Sequence, residues 1–462
     1  MTGPRALPQG PLIAFYGDDF TGASASMEAT SFAGLETVLF LSPPTSERLR
    51  AFEGARVIGV AGVARAKSPE WMEANLPSVF ELLAKTGASV VHYKVCSTFD
   101  SAPHVGSIGR AIEIAQRRFQ GWSPMIVADP GMGRFQAFGN LFAMMHGTAR
   151  RLDRHPVMSG HPVTPMDEAD LRRHLARQTD TRIGLVDFVA MKRGDGDKCL
   201  RREIDCGAKI VSFDILDNET LIEAGRLVWE HGGPVVFGVG SQGFEAALAA
   251  YWRDAGLIAP PAASYRAAAV ERIACVSGSV SAVTAVQIAF AREHGFDTIE
   301  LDAARAVDPS QWSREIGRAA EAALAKIGEG RDALVYSAAG PDDPAVASLK
   351  AAVATSGVSQ EIVDERVGTG LGQILDTILA KSRLTRVVIS GGDTSGRAAS
   401  TLGIDALTAV APLAPGSPLC RAHAARPDRD GLEIALKGGQ VGAPDFFVAA
   451  KRGGPSHHTT GE

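Results

Sequence analysis

The sequence predicts an α/β protein of two domains, each built on a mostly parallel, Rossmann-like sheet with flanking helices. Two observations lead to this prediction. Short apolar runs rich in β-branched residues alternate with longer amphipathic segments, which is typical of parallel strands buried on both faces. The chain also has 462 residues, which is too long for one ordinary core.

The first half of the chain contains seven predicted strands. Amphipathic segments lie between several of them, for example at 69–86 and 220–231. The stretch 147–177 interrupts the alternation, and the two X-Pro bonds of its segment MSGHPVTPM (158–166) hold the backbone extended. That stretch is either a structured wall of a binding site or a long surface connection. The predicted strands are 11–16, 55–63, 89–95, 124–129, 182–188, 209–215 and 234–240.

The alternation weakens at 257–271, where two prolines follow a helix end, and it then restarts. We therefore predict a first domain of residues 1–265 and a second domain of residues 266–452. Residues 453–462 are predicted to form a disordered tail. The predicted strands of the second domain are 272–279, 297–302, 332–339, 386–392 and 433–439.

Composition and charge exclude several classes of protein. A net charge of −5 argues against a general nucleic-acid binder. Five scattered cysteines without a C-x-x-C pair argue against zinc and disulfides and fit a reducing compartment. No stretch approaches the about 20 apolar residues of a membrane span, and none resembles a signal peptide. We expect a soluble, cytoplasmic protein that binds neither nucleic acid nor membrane. The sequence assigns no metal ligands and leaves the oligomeric state open, a homodimer included.

Two adjacent carboxylates follow the first predicted strand, in the segment GDDFTGA (17–23) that opens a helix. Ligands of open parallel sheets bind beyond the carboxyl ends of the strands. There, Asp18 and Asp19 could orient hydroxyls, accept a proton or hold a hydrated magnesium ion. The alternative is that Asp19 or Thr21 only caps the helix. Because a cap needs one acidic residue and glycines flank this pair, we favour a functional site.

A lysine, several hydroxyls and a carboxylate follow the third predicted strand, in KVCSTFDS (94–101). Lys94 could neutralise a ligand carboxylate or the transferring phosphoryl group, while Ser97, Thr98 and Asp100 hold hydroxyls. The alternative is a polar loop that satisfies its own backbone. The functional interpretation predicts a polyhydroxy acid as the ligand.

Three loops of small residues follow predicted strands in the second half: SGSVS (277–281), GGDTSG (391–396) and KGGQVG (437–442). A loop of this kind at a helix N-terminus exposes backbone N–H groups and the positive end of the helix dipole to a phosphate. One such loop is weak evidence because glycine turns are common. Three at strand ends of one domain predict a nucleotide site.

The residues also leave two other functions open. The chain has no P-loop motif, but residues 238–243 spell the dinucleotide fingerprint G-x-G-x-x-G between a strand and a helix. This favours an NAD-dependent dehydrogenase of a sugar acid, although no acidic residue about 20 positions later could hold a ribose. A non-catalytic acid-sugar-binding module is the second alternative.

Together these segments resemble the four-carbon acid sugar kinase family, in the family's own order. The resemblance also rests on GSIG (106–109), GRFQAFGNLF (133–142) and HPVTPM (161–166). The form C-S-T-F-D-S at 96–101 is similar to the branches that act on 3-oxo acids, the 3-oxo-isoapionate kinases among them. The resemblance leaves the acid open among 3-oxo-tetronate, 3-oxo-isoapionate, threonate and erythronate.

The resemblance implies an ATP-dependent kinase that phosphorylates the terminal hydroxyl of such a four- or five-carbon acid. It implies that the first domain binds the acid sugar and that the second binds the nucleotide, with Mg²⁺ bridging the β- and γ-phosphates. The nucleotide contacts implied by position are Ser279, Gly391, Gly392, Asp393, Thr394 and Gly439.

On this interpretation Asp19 is the first choice to accept the proton of the substrate hydroxyl, with Asp18 or Asp100 next. Basic and polar side chains of the first domain would hold the carboxylate and the hydroxyls of the acid. Beyond Ser97 and Thr98, these are Lys94, Arg134 and His161.

Overall fold

The structure is a computed structural model that describes residues 4–145, 147–161, 163–262 and 264–454, with Asp393 by its backbone alone. The chain divides into two compact units, residues 1–262 and 263–462. Most of the predicted tail, residues 455–462, lies outside the described residues.

The first unit contains a parallel sheet and a small antiparallel one. Its strands are Ile13–Gly17 (β1), Thr37–Phe40 (β2), Val57–Ala61 (β3), Val90–Lys94 (β4), Ser123–Ile126 (β5), Arg134–Ala137 (β6), Asn140–Met145 (β7), Thr148–Arg151 (β8), Ile183–Val186 (β9), Ile210–Phe213 (β10) and Val236–Gly240 (β11). The parallel sheet has the order β2-β3-β1-β4-β11-β5-β10-β9, and β6-β7-β8 form the antiparallel sheet. Adjacent strand ends in the parallel sheet therefore come from distant parts of the sequence.

Helices connect the parallel strands of this unit. They are Phe20–Phe32 (α1), Ser46–Arg50 (α2), Pro69–Lys85 (α3), Ile108–Gln116 (α4), Leu171–Leu175 (α5), Phe188–Lys192 (α6), Gly196–Asp205 (α7), Asn218–His231 (α8) and Gly243–Asp254 (α9). Helix α8 begins with a capping box in which Asp217 and Thr220 satisfy each other's backbone N–H groups. Its Trp229 packs edge-on against Trp252 of α9, with ring centres 5.1 Å apart and both rings fully buried. Loss of either ring would cost about 3–5 kcal/mol of stability.

The stretch 147–177 is a structured segment rather than a bare loop. It consists of β8, a single 3₁₀ turn at Leu152–Arg154, and α5. Between these elements the side chains of Met158 and Met166 are buried and hold the segment in place. The strands β2, β6, β7 and β8 were not predicted. Strands β6 and β8 have no apolar run, while β2 and β7 have apolar runs as long as those of some predicted strands.

The second unit continues the alternation with a mixed sheet. Its strands are Ala274–Ser277 (β12), Phe296–Glu300 (β13), Asp332–Tyr336 (β14), Arg386–Ser390 (β15), Ile404–Ala414 (β16), Ser417–Ala424 (β17) and Glu433–Lys437 (β18). Strands β13-β14-β12-β15-β18 are parallel, and β17 and β16 extend the sheet antiparallel. The hairpin β16–β17, rich in alanine and proline, was not predicted. The helices are Ala282–Glu293 (α10), Pro309–Gly328 (α11), Pro344–Ser356 (α12), Gln360–Lys381 (α13), Gly392–Thr401 (α14) and Phe446–Arg452 (α15).

The mostly parallel α/β architecture predicted for both halves is confirmed. Every predicted strand has an observed counterpart within a few residues, and most of these are apolar runs that the sheet buries, whereas Phe296–Glu300 is polar and partly exposed. Within the described residues, no helix is long and apolar enough to cross a membrane.

Candidate active site

Three neighbouring strands bring charged residues to one edge of the first sheet. Strand β1 lies between β3 and β4, and Gly17 at its end pairs with Lys94 at the end of β4. The Asp18 N–H donates to the Lys94 carbonyl at 2.9 Å, and the Arg65 N–H donates to the Asp18 carbonyl at 3.0 Å. The segments GDDFTGA and KVCSTFDS, far apart in sequence, therefore meet here.

Arg65 joins the two adjacent carboxylates. It lies in the short 3₁₀ turn Ala64–Ala66 after β3, and its guanidinium bonds Asp18 at 2.7 and 3.3 Å. The same guanidinium bonds Asp19 at 2.8 and 3.0 Å. We did not predict Arg65, because a single arginine after a strand has no local signature. Its place depends on the strand order.

The two carboxylates differ in burial. The side chain of Asp18 is 4% exposed and that of Asp19 is 29% exposed. Burial raises the pKa of Asp18 to about 6, although the Arg65 guanidinium opposes this shift. Asp19 also caps α1 by accepting the Gly22 N–H at 2.7 Å. The capping alternative is thus correct in part, and the same carboxylate is also held by Arg65 and is the more accessible of the two.

Small residues in GDDFTGA permit this close arrangement. A Cβ atom built on Gly17 would lie 2.6 Å from the Ala23 Cβ, so α1 starts directly against β1. A Cβ on Gly22 would lie 2.9 Å from the Lys94 Nζ. Lys94 is buried, and its Nζ donates to the Val95 carbonyl at 2.7 Å. A larger residue at Gly22 would therefore displace the ammonium.

The KVCSTFDS segment forms a hydrogen-bonded chain. The Thr98 hydroxyl donates to the Asp100 carboxylate at 2.5 Å and lies 2.9 Å from the Cys96 Sγ. Burial opposes ionisation of Asp100, but Arg65 and the Thr98 hydroxyl hold its pKa below the usual value. Burial, reinforced by the negative charge of Asp100, raises the pKa of the Cys96 thiol to about 11. Buried Phe99 has a φ of 56°, a strained backbone that this packing maintains.

The remaining predicted acid-binding residues lie at different distances from this cluster. Burial lowers the pKa of Arg134, and Cys96 and Asp129 oppose the shift, so the guanidinium lies within electrostatic reach of Cys96. Ser97 is half-buried, one residue from Cys96. His161 accepts the Thr164 N–H at 3.1 Å, and in the described part of the chain no hydrogen bond joins it to the cluster. The structure therefore brings Arg134 towards the cluster and holds His161 within its own segment.

In the second unit the three glycine loops contact one another. They follow β12, β15 and β18, which are neighbours in the sheet. A Cβ on Gly278 would lie 2.7 Å from the Thr394 hydroxyl, and one on Gly439 would lie 2.7 Å from the Ser279 hydroxyl. A Cβ on Gly391 would lie 3.4 Å from the Ser279 backbone nitrogen. Gly278 and Gly439 therefore lie where the loops touch, while at Gly391 the φ of 130° favours glycine.

Hydroxyl groups tie the first loop to the third. The Thr284 hydroxyl bonds both the Ser279 hydroxyl and the Gly439 carbonyl at 3.0 Å. Ser281 donates to the same Gly439 carbonyl. The network fixes Ser279 and Gly439, two of the residues assigned to the nucleotide, relative to each other.

The helices α10 and α14 begin differently. Ser281 caps α10 by accepting the Thr284 N–H at 3.1 Å. Helix α14 begins after Gly391, whose φ is 130°, and no side chain caps its first turn in the described residues. A Cβ on Gly392 would meet nothing within 4 Å. The start of α14 therefore has N–H groups without a side-chain cap among the described residues, and the space beside Gly392 is open, which suits a phosphate. The side chain of Asp393, also assigned to the nucleotide, lies outside the described residues.

The fingerprint glycines at 238–243 have a packing role. A Cβ on Gly238 would lie 2.2 Å from the Phe244 ring, and one on Gly240 would lie 1.7 Å from the Ile126 carbonyl oxygen. A Cβ on Gly243 would lie 2.1 Å from the Ala128 carbonyl oxygen. Protein atoms occupy the space that a pyrophosphate would need, so the structure does not support the dehydrogenase alternative.

Within the described residues, no group of three or more histidine, cysteine, aspartate or glutamate side chains is arranged to hold a metal ion. Any divalent ion at the described loops would depend mainly on the phosphates of the nucleotide for its ligands.

Comparison with family models divides the chain as the two units do. Residues 13–248 match the sugar-binding N-terminal domain, and residues 274–447 match the nucleotide-binding C-terminal domain. Among solved structures, a protein of Salmonella typhimurium LT2 matches with a TM-score of 0.79 at 25% identity, over 95% of this chain and 98% of that one. A Haemophilus influenzae protein matches with a TM-score of 0.72 at 24% identity, over 95% and 99%. The fold is therefore shared with known structures.

Several kinases are similar to this chain over almost the whole length of both proteins. A 3-oxo-isoapionate kinase of Paraburkholderia graminis is 50% identical over 98% of this chain and 96% of its own. A 3-oxo-tetronate kinase of Cupriavidus necator is 31% identical over 96% and 98%, and one of Methylobacterium radiotolerans is 32% identical over 94% and 97%. The chain belongs to the four-carbon acid sugar kinase family and is a phosphotransferase that acts on a hydroxyl group.

Proposed function

We propose that this kinase transfers the γ-phosphoryl group of ATP to the terminal hydroxyl of 3-oxo-isoapionate. The main observation behind the choice of acid is the 50% identity to a 3-oxo-isoapionate kinase over 98% of the chain. The 3-oxo-tetronate kinases are about 20 percentage points less similar, at 31% and 32% (50 − 31 = 19; 50 − 32 = 18). The cytoplasmic location and the homodimer stay predictions.

The acid is proposed to bind at the charged edge of the first sheet. Lys94 and Arg65 would attract its carboxylate, and the Thr98–Asp100 pair would accept hydroxyl groups. Arg134 lies within electrostatic reach of this segment and would add a second guanidinium. Ser97 completes the set, while His161 would need to leave its bond to Thr164 before it could bind the acid.

Asp19 is proposed to accept the proton of the reacting hydroxyl. It is more exposed than Asp18, with 29% of its side chain exposed against 4%, so a substrate can reach it. Asp18 and Arg65 would hold it in position. Proton acceptance by a positioned carboxylate contributes about 10²–10⁴-fold to a rate. Asp18 and Asp100 remain the other candidates.

The nucleotide phosphates are proposed to bind at the start of α14, where no side chain caps the N–H groups among the described residues and the space beside Gly392 is open. Ser279, Thr394 and Gly439 would line the same site, since their loops touch. Mg²⁺ would bridge the phosphates and neutralise their charge, with the nucleotide as its main ligand. Phosphoryl transfer depends mostly on such positioning and neutralisation.

The test is an ADP-release assay with four- and five-carbon aldonates and their 3-oxo forms. We expect 3-oxo-isoapionate to give the highest kcat/KM, with the phosphate on its terminal hydroxyl by ³¹P and ¹³C NMR. A higher kcat/KM for 3-oxo-tetronate or threonate would show that the proposed acid is wrong, while the kinase assignment would stand.

A substitution tests where the acid binds. Lys94→Met keeps the length of the side chain and removes the charge, so we expect the KM for the acid to rise about 10–100-fold. The KM for ATP should stay unchanged. Lys85→Met, an exposed lysine at the end of α3, is the control and should leave both KM values unchanged. An unchanged KM for the acid in Lys94→Met would place the acid elsewhere.

A further inference from the structure

Lys437 is a buried lysine beneath the third glycine loop. It is the last residue of β18, and its side chain is fully buried. Its Nζ donates to the Gly438 carbonyl at 2.8 Å, the Val441 carbonyl at 3.2 Å and the Thr284 hydroxyl at 3.2 Å. The Gly439 carbonyl lies 3.4 Å from the same Nζ. The ammonium is therefore surrounded by neutral oxygen atoms.

No negative side chain balances this charge among those that the structure describes. The Phe446 ring of α15 lies 5.8 Å from the Nζ. Charged residues on the surrounding helices do not contribute to the shift in the lysine pKa: burial alone lowers it, to about 8. These residues are Arg292 and Glu293 on α10, Arg397 on α14, and Asp445, Lys451 and Arg452 at α15. A buried ammonium without an anion is costly, so its retention calls for an explanation.

The geometry of the loop relates this lysine to the nucleotide. In a trans peptide the C=O of one residue and the N–H of the next point in opposite directions. Because the carbonyls of Gly438 and Gly439 turn towards Lys437, the N–H groups of Gly439 and Gln440 point away from it. Gly439 in turn lies against Ser279 of the first loop. The lysine thus fixes the orientation of these two peptide groups, with their N–H donors on the side away from the ammonium.

We propose that Lys437 is a positioning residue for the nucleotide, which holds the carbonyls of the 438–441 loop inward and supplies, from behind that loop, the positive charge that the bound phosphates balance. This inference rests on the proposed binding of the nucleotide at these loops. The lysine does not touch the phosphate. It replaces at a distance the direct contact that a P-loop lysine makes.

The proposal has a consequence for pH. Phosphates favour the charged lysine, so nucleotide binding raises its pKa above the value of about 8 in the free protein. Affinity is then highest below pH 8, where the lysine is charged in both states, and falls as the pH rises through 8. If nucleotide binding raises the Lys437 pKa by one unit, the affinity at high pH is about tenfold lower than below pH 8. The same rise means that binding at pH 8 takes up about half a proton.

The test is calorimetry of Mg·ADP binding to the full chain in buffers of different ionisation enthalpy, with the protein's fold checked by circular dichroism. At pH 8 we expect proton uptake by the natural protein and none by Lys437→Gln, which keeps N–H donors without the charge. At pH 7, Lys437→Gln should bind ADP about tenfold more weakly. Lys350→Gln, an exposed lysine on α12, is the matched control and should behave as the natural protein.

Lys437→Arg keeps its charge at every pH of the experiment and serves as the second variant. It should bind ADP without proton uptake and without the loss of affinity above pH 8. The proposal would be overturned if Lys437→Gln or Lys437→Arg took up as many protons on binding ADP as the natural protein. It would also be overturned if the natural protein took up none. Failure of the natural protein to bind ADP would instead refute the proposed function.

Discussion

Two buried lysines occupy equivalent places in the two units and have opposite surroundings. Lys94 ends β4 and Lys437 ends β18, and each donates to the carbonyl of the residue that follows it, at 2.7 and 2.8 Å. Lys94 lies in a cluster with Arg65 and two aspartates. Lys437 contacts carbonyl groups and a hydroxyl.

The difference reflects the two chemical tasks of a kinase. A hydroxyl that attacks a phosphoryl group must lose a proton, which requires a carboxylate, and that carboxylate needs cations to stay in place. Phosphates arrive fully charged and need donors and positive charge, which at the proposed nucleotide site would come from backbone N–H groups, Mg²⁺ and Lys437. The proposed acid site therefore consists of side chains, and the proposed nucleotide site mainly of backbone.

The largest expected effect is that of Asp19→Asn. Loss of the proton acceptor should lower kcat by about 10²–10⁴-fold, with the KM for ATP nearly unchanged. Steady-state kinetics with the preferred acid would measure both constants. Near-full kcat in Asp19→Asn together with loss of activity in Asp100→Asn would show that the base is Asp100. If Asp18→Asn, Asp19→Asn and Asp100→Asn all keep near-full kcat, none of these carboxylates is the base. The proposed chemical difference between the acid site and the nucleotide site would then be wrong.

A smaller effect is expected at the start of α14. Gly392→Val places a side chain in the open space in front of the N–H groups, so the KM for ATP should rise about 10–100-fold with the KM for the acid unchanged. Gly317→Val is the matched control. It lies in α11, where a Cβ also meets nothing within 4 Å, and its KM for ATP should be that of the natural protein. Equal kinetics of the two variants would move the phosphates away from α14.

The smallest effect concerns pH. The pKa of Asp18 is raised to about 6, so below pH 6 this carboxyl takes up a proton and its ion pair with Arg65 weakens. The value of kcat/KM for the acid should fall by about tenfold for each pH unit below 6 and be constant just above it. Asp18→Asn should lose this dependence. The KM for ATP should not change across that pH range. If it changed with pH as strongly as kcat/KM for the acid does, the two sites would not be electrostatically distinct.

Most of the parallel strands could be predicted because each is a local signal. The prediction of a strand at 89–95 matches Val90–Lys94, whose β-branched and aromatic residues favour a strand. The alanines and prolines of the hairpin β16–β17 fit a loop equally well. The strand Thr37–Phe40 was not predicted, although the equally short Ile210–Phe213 was.

For the site, the sequence predicted the types of residue and could not predict all their partners. Asp18 and Lys94 could be expected to meet because both follow strands of one sheet. Arg65 could not, since its contact with the aspartates results from β3 lying beside β1, and strand order is not a local property of the sequence. Lys437 was visible in its motif, but a lysine at the end of a strand normally reaches solvent, and only the packing of α10 and α15 shows that it is buried.

The thiol beside the proposed acid site affects how this enzyme would tolerate oxidants. With a pKa of about 11, only about one Cys96 in 10⁴ is a thiolate at neutral pH, and peroxides and alkylating reagents attack the thiolate. Burial and the neighbouring Asp100 thus protect a sulfur atom beside the proposed acid site from chemical damage. Exposed Cys206 has no such protection from burial, so a label could be attached there without modifying the cluster.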